Sequence, residues 1–191
     1  MPIAISIVPE GFAAAEKALK NVANGFPRAA ADAINRGLIS GRKQADQGIR
    51  ARYNIKSAAV KSELLINKAN WSSLSGSLEA KGPMIPLGKF APTVKVKRVA
   101  RRGARRQFVT VTIIKGSRKL VKGAFMAKGR IWERRQDERT PIYPVSTIGI
   151  PYMVGYVGVA KKVEETIARV TAQRLEHNVN RLLAVAGGKG G

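Results

Sequence analysis

The chain has no cysteine, a single histidine and only 12 acidic side chains among 191 residues. Each scarcity removes a class of chemistry. Without cysteine there is no disulfide, no thiolate nucleophile and no thiolate metal site. With His177 as the sole imidazole, a metal centre would have to be built from carboxylates. Those are scattered, and the only adjacent pairs are Asp137–Glu138 and Glu164–Glu165. On a basic helix the second pair reads as partners for neighbouring lysine and arginine. Aromatic residues make up 6% of the chain, and none interrupts the most basic stretch, so a base-stacking platform is poorly supported. No apolar run approaches the roughly 18 residues of a membrane-spanning helix. The opening residues MPIAISIVPEGF carry neither the basic start nor the apolar core of a signal peptide. A phosphate-cradling GxxxxGK[ST] loop is absent, and the terminal GGKGG lacks the flanking strand and helix that would give it meaning. No enzymatic activity, metal or cofactor is expected.

Positive charge is what the chain has in excess. Its 35 Lys and Arg give a formal net charge of +23. Self-repulsion on that scale calls for a nearby polyanion or an acidic protein surface. The surplus is concentrated. From Ala80 to Trp132 there is no Asp or Glu, while 15 of the cations lie there. Its densest part is KVKRVARRGARR, residues 95–106, with Lys95, Lys97, Arg98, Arg101, Arg102, Arg105 and Arg106. Three readings of this run stay open: a solvated loop, contact with duplex phosphates without sequence reading, or docking on an acidic protein. No helix-turn-helix, zinc-finger or RNA-recognition motif accompanies it.

Hydrophobic periodicity gives the fold class. Ile3, Ile5 and Ile7 alternate as a short strand that Pro9 and Gly11 end. Residues 12–23 read as a helix, and a second runs from about Pro27 to Tyr53 with Ala30, Ile34, Leu38 and Ile39 apolar. Gly37, Gly41 and Gly48 would each weaken it by roughly 1 kcal/mol unless a close neighbour requires them. Ser57 reads as the N-cap of a third, short helix. Strand patterns follow at 64–69, 74–80, 93–99 and 107–114, then in KLVKGAFMAKG and GRIWERR, with the 93–99 and 107–114 strands forming a hairpin around ARRGARR. GPMIPLGKFAP is too rich in Pro and Gly for a helix. Residues 151–186 read as one long helix, with Val159, Val163, Ile167 and Val170 apolar, then Leu175, Val179 and Leu182 after a one-residue slip. The expectation is a single α+β domain. It has a helical part over 1–63, a β-rich basic part with a mostly antiparallel sheet over 64–148, a C-terminal helix over 149–186 and a disordered tail at 187–191.

Several short segments carry a further signal. In order they are AINR at Ala33–Arg36, IPLGKF at Ile85–Phe90, GAFMA at Gly123–Ala127, WERR at Trp132–Arg135, TPI at Thr140–Ile142 and GIPYM at Gly149–Met153. Their shared order resembles the phage minor tail protein Z family, the tail-completion proteins of long-tailed phages, over roughly residues 25–185. The resemblance implies a ring-forming α+β subunit of the virion neck, usually six copies, assembled in the bacterial host cytoplasm. Its neighbours would be the tail terminator and the head-side connector, with genomic DNA passing through the ring and no membrane involved. The cations of 95–106 would then face DNA or an acidic ring. Phe90, Phe125 and Trp132 are candidate core or interface anchors. The alternative is a sequence-nonspecific nucleic-acid-binding protein of ribosomal or nucleoid type.

Overall fold

A long helix built around small residues organises the molecule. The computed structural model describes residues 3–6, 11–98, 105–134, 140–156 and 158–187. Strand β1 is Ile3–Ser6, helix α1 is Phe12–Ala18 and helix α2 is Gly25–Arg52. Ile7 and Pro9 lie outside the described residues. Helix α2 starts two residues before Pro27, which falls in its first turn, where a missing backbone N–H costs no helical hydrogen bond. Helix α3 is Ser57–Lys61. The expectation of Ser57 as its N-cap is corrected: Lys56 holds that position, and the Ser57 hydroxyl donates instead to Asp46 Oδ2 on α2 at 2.8 Å.

The expected C-terminal helix is two helices, α4 at Ile150–Gly155 and α5 at Val159–Gly187. Gly158 adopts a left-handed backbone (φ 91°) at the junction, a conformation that glycine takes without steric cost. Gly187, expected in the tail, ends α5, and residues 188–191 lie outside the described residues.

Helices α2 and α5 pack antiparallel, and the glycines explain how closely. A Cβ at Gly37 would collide with Thr171 Oγ1 and stand 3.0 Å from the Ile167 carbonyl. One at Gly41 would meet the Ile167 side chain, and one at Gly48 would be 3.3 Å from Val159. The buried stripe of α5 is therefore Val163, Ile167, Thr171, Leu175 and Asn178. This corrects the apolar stripe through Val170 and Val179, both only half-buried. The seam accepts Asn178 because its amide donates to the Ala29 carbonyl at 3.1 Å and to Asp32 Oδ2 at 3.0 Å. Ile39 is corrected too. It is 47% exposed, because one residue past Leu38 the helix has turned by about 100°.

Among the described residues the β region forms four small sheets instead of one. Strands β2 (Leu64–Asn67) and β3 (Ser77–Ala80) join β1 in the order β1-β3-β2. Strand β4 (Ile85–Pro86) leads into a 3-10 turn at Leu87–Phe90, a short helical turn that the Pro/Gly content did not suggest. Strands β5 (Thr93–Arg98), β6 (Arg105–Thr112) and β7 (Arg118–Val121) form a second sheet. Strands β8 (Ala124–Ala127), β9 (Arg130–Glu133) and β10 (Tyr143–Pro144) form a third, and β11 (Ser146–Thr147) pairs with β4. All pairings are antiparallel. The main core joins Ile34, Leu38 and Ile49 of α2 to Leu64, Leu78, Phe90, Val109, Ile131, Met153 and Ile167. The chain is thus an α+β protein.

Candidate functional site

The basic run lies in the β5–β6 hairpin, and strand alternation sorts its side chains. Cross-strand pairs share a face. Val94, Val109 and Val121 form one such row, and Val111 stands in phase with them; Val109 and Val111 are buried and the other two are half-buried. The opposite face carries the pair Lys95 and Phe108, the row Thr93, Thr110 and Leu120, and the pair Thr112 and Arg118. Lys97 lies in phase with Lys95, and both are exposed. Val96 falls in phase with the core side yet is 57% exposed. Val96 is thus uncovered where the β5–β6 arm leaves the core, while its cross-strand partner Gln107 is half-buried and accepts from the Met126 N–H at 2.8 Å.

Of the seven candidate cations, Lys95 and Lys97 are on this arm as exposed side chains. The backbones of Arg98, Arg105 and Arg106 extend the ladder through the pairs Lys97–Arg106 and Arg98–Arg105. Arg101 and Arg102 lie outside the described residues, as does Gly103. The ladder itself, β5 against β6, is the expected hairpin.

Sequence reasoning missed two members of the face. Phe108 lies just beyond the basic run, and pairing sets it directly opposite Lys95. Arg118 comes from β7, where its Nε donates to Thr110 Oγ1 at 3.0 Å, and that hydroxyl in turn donates to the Thr93 carbonyl at 3.3 Å. The alternation of QFVTVTII placed Phe108 in phase with Thr110 and Thr112, but only the register across strands assigns it to the lysine face. None of Lys95, Lys97 and Arg118 is in an ion pair among the described residues. The face is therefore cationic without internal compensation, and phosphate oxygens or carboxylates would satisfy it equally.

The three candidate anchors separate. Phe90 is fully buried in the core. Phe125 and Trp132 are cross-strand partners in the third sheet and only half-buried. The Arg134 guanidinium sits 4.3 Å from the Phe125 ring centroid, and Trp132 Nε1 donates to the Ala127 carbonyl at 3.2 Å. On the same strand as Phe125, Ala124 is buried and Met126 packs on the core. The motif residues have structural work as well. Asn35 of AINR clamps the segment after β2, donating to the Ala69 carbonyl and accepting from the Ala69 N–H, both at 2.9 Å.

His177 is exposed on α5, and among the described residues no group of three or more His, Asp or Glu gathers as a metal site would. Glu164 and Glu165 make no ion pair among the described residues, which corrects the expectation of helical partners. Asp137 and Glu138 lie outside those residues. No helix among the described residues is long and apolar enough to cross a membrane.

Fold and site together define an α+β protein with a cationic hairpin arm. The family model described as prophage minor tail protein Z (GPZ) matches residues 10–186, and the chain belongs to that family. It is a structural protein of a phage tail. No curated protein and no solved structure matches it.

Proposed function

We propose that the protein is a tail-completion subunit that forms a ring, six copies around, in the virion neck. In this reading the ring joins the tail to the head-side connector and surrounds the DNA channel. The basic arm points to genomic DNA or to an acidic neighbouring ring, holding it through charge without reading sequence. The observation that supports this most is the arm itself. In a chain of the minor tail protein Z family, it carries exposed, uncompensated lysines on a hairpin that leaves the core.

The test is complementation of a phage lacking this protein with a chain in which Lys95, Lys97, Arg98, Arg101, Arg102, Arg105 and Arg106 are all serine. The expected result is a folded chain and complete tails, but heads that fail to join or that lose their DNA. Normal titres and normal DNA retention would sink the proposed role of the arm. Cryo-electron microscopy of the wild-type neck reads copy number and location independently. A location at the distal tail tip would overturn the neck reading.

A further inference from the structure

A second surface, away from the outer face of the basic sheet, has the shape and chemistry of a docking site. Where the end of α2, the β6–β7 turn, β11 and α4 meet, there is a half-open cleft with a cavity volume of about 320 Å³. Its walls are tied together by the backbone. The Asn54 N–H donates to the Ile113 carbonyl, and the Lys115 N–H donates to the Arg52 carbonyl, both at 2.9 Å. The cleft is thus formed before anything enters it.

The lining is mostly apolar and aromatic, with Tyr53 at its base, Tyr152 from α4 and Tyr156 just after it. The lip leaves two large side chains in water, Tyr152 at 62% and Ile114 at 39% exposed. Both charged lining residues are cations, Arg52 and Lys119, and neither is in an ion pair among the described residues. The Arg52 guanidinium is already seated on Tyr156, 4.0 Å from the ring centroid. Burial raises the Tyr53 phenol above its ordinary range, so it stays neutral and adds no negative charge.

We infer that this cleft receives an apolar side chain flanked by carboxylates, presented by an acidic protein partner. A volume near the lower end for ligand sites, about 300 Å³, suits one or two anchoring side chains. The rim cations suit acidic flanks. A nucleic acid would leave the apolar walls unused. A second copy of this chain would bring the same cationic surplus to a cationic lip. The inference rests on the tail-component reading only in needing a protein neighbour.

The test uses the purified chain in about 0.15 M salt, where long-range attraction to the net positive charge is screened. The probe is a fluorescein-labelled hexapeptide, Asp-Glu-Trp-Leu-Glu-Asp, followed by polarisation and by amide shifts at Ile114 and Tyr152. It is expected to bind with those two amides moving, and at least about tenfold more weakly to Tyr152→Ser and to Arg52→Ser/Lys119→Ser. These residues are exposed, so the variants are expected to fold; unchanged circular dichroism and melting check that. The Lys95→Ser/Lys97→Ser chain should bind like wild type. A Lys-Lys-Trp-Leu-Lys-Lys peptide should bind at least about tenfold more weakly. The inference is overturned by no binding, by equal binding of the lysine peptide, or by a loss that follows the arm instead of the cleft. It is also overturned if oligothymidylate moves the same amides at lower concentration, or if sedimentation shows self-association lost in Tyr152→Ser. Because no virion is involved, these outcomes are distinguishable from a failed neck location.

Discussion

The α2–α5 seam and the β5–β6 arm differ in what constrains their residues. Along the seam each position is fixed by what it touches: glycine where Ile167 and Thr171 come close, Asn178 where the Ala29 carbonyl and Asp32 need a donor. On the β5 strand of the arm, Lys95, Val96 and Lys97 are all exposed, Val96 on the side that should be covered. Packing explains the first region and leaves the second unexplained. A region whose composition packing does not explain is where function is to be sought, and the uncompensated lysines lie there.

The contrast breaks if the seam tolerates bulk. Gly37→Val pushes side-chain atoms into the buried Thr171 hydroxyl and against the Ile167 carbonyl, a backbone atom of the facing helix. The expected loss is about 3 kcal/mol, read as a lower urea midpoint at unchanged slope. Gly48→Ala makes the internal control. Its Cβ meets only the end of Val159 at 3.3 Å, and the gain in helix propensity of about 1 kcal/mol offsets most of the crowding. Equal destabilisation by the two would mean that the glycines are not there for close approach.

Removing the buried amide comes next. Asn178→Ala leaves Asp32 without its donor at the seam and should cost about 1–3 kcal/mol. A double-mutant cycle with Asp32→Ala should show coupling of at least about 0.5 kcal/mol. Strict additivity would remove the pair as a device that sets helix register.

The seam also shows what a sequence can and cannot reveal. The helices, the hairpin and the α+β class follow from apolar spacing and β-branched alternation, which are local signals. Thr171 and Asn178 were passed over in favour of Val170 and Val179 because hydrophobicity alone marked the stripe. Their burial depends on a glycine and an aspartate more than a hundred residues earlier in the chain. Likewise the basic run was plain to read, but Phe108 and Arg118 join Lys95 and Lys97 only through strand register. The cleft draws on four separated segments and had no local signature.

The arm gives a smaller effect on stability and a distinct one on binding. Lys95→Ser/Lys97→Ser should change unfolding free energy by no more than about 0.5 kcal/mol, since both side chains are exposed and neither has an ion-pair partner among the described residues. If the arm contacts phosphates, the slope of log affinity against log salt for duplex DNA should become shallower by about 2, close to 0.9 per lost contact. An unchanged slope would shift the arm from DNA to an acidic protein. A stability change as large as that of Gly37→Val would erase the distinction between the two regions.

The smallest effect tests whether the end of α2 is as firmly packed as its middle. Tyr53 is 3% exposed, and burial, the largest influence on it, raises its phenol above the ordinary value of 10.0 against the opposing pull of Arg52. The folded state therefore holds this proton more tightly than the unfolded chain does. Its contribution is fully present below pH 10 and is lost as pH rises through the raised value, because the unfolded chain ionises first. Stability measured by urea titration from pH 9 to 11 should fall, and Tyr53→Phe should remove part of that fall. A fall of the same size in Tyr53→Phe would mean that the phenol is solvated in the folded protein, and that the end of α2 opens more readily than the seam.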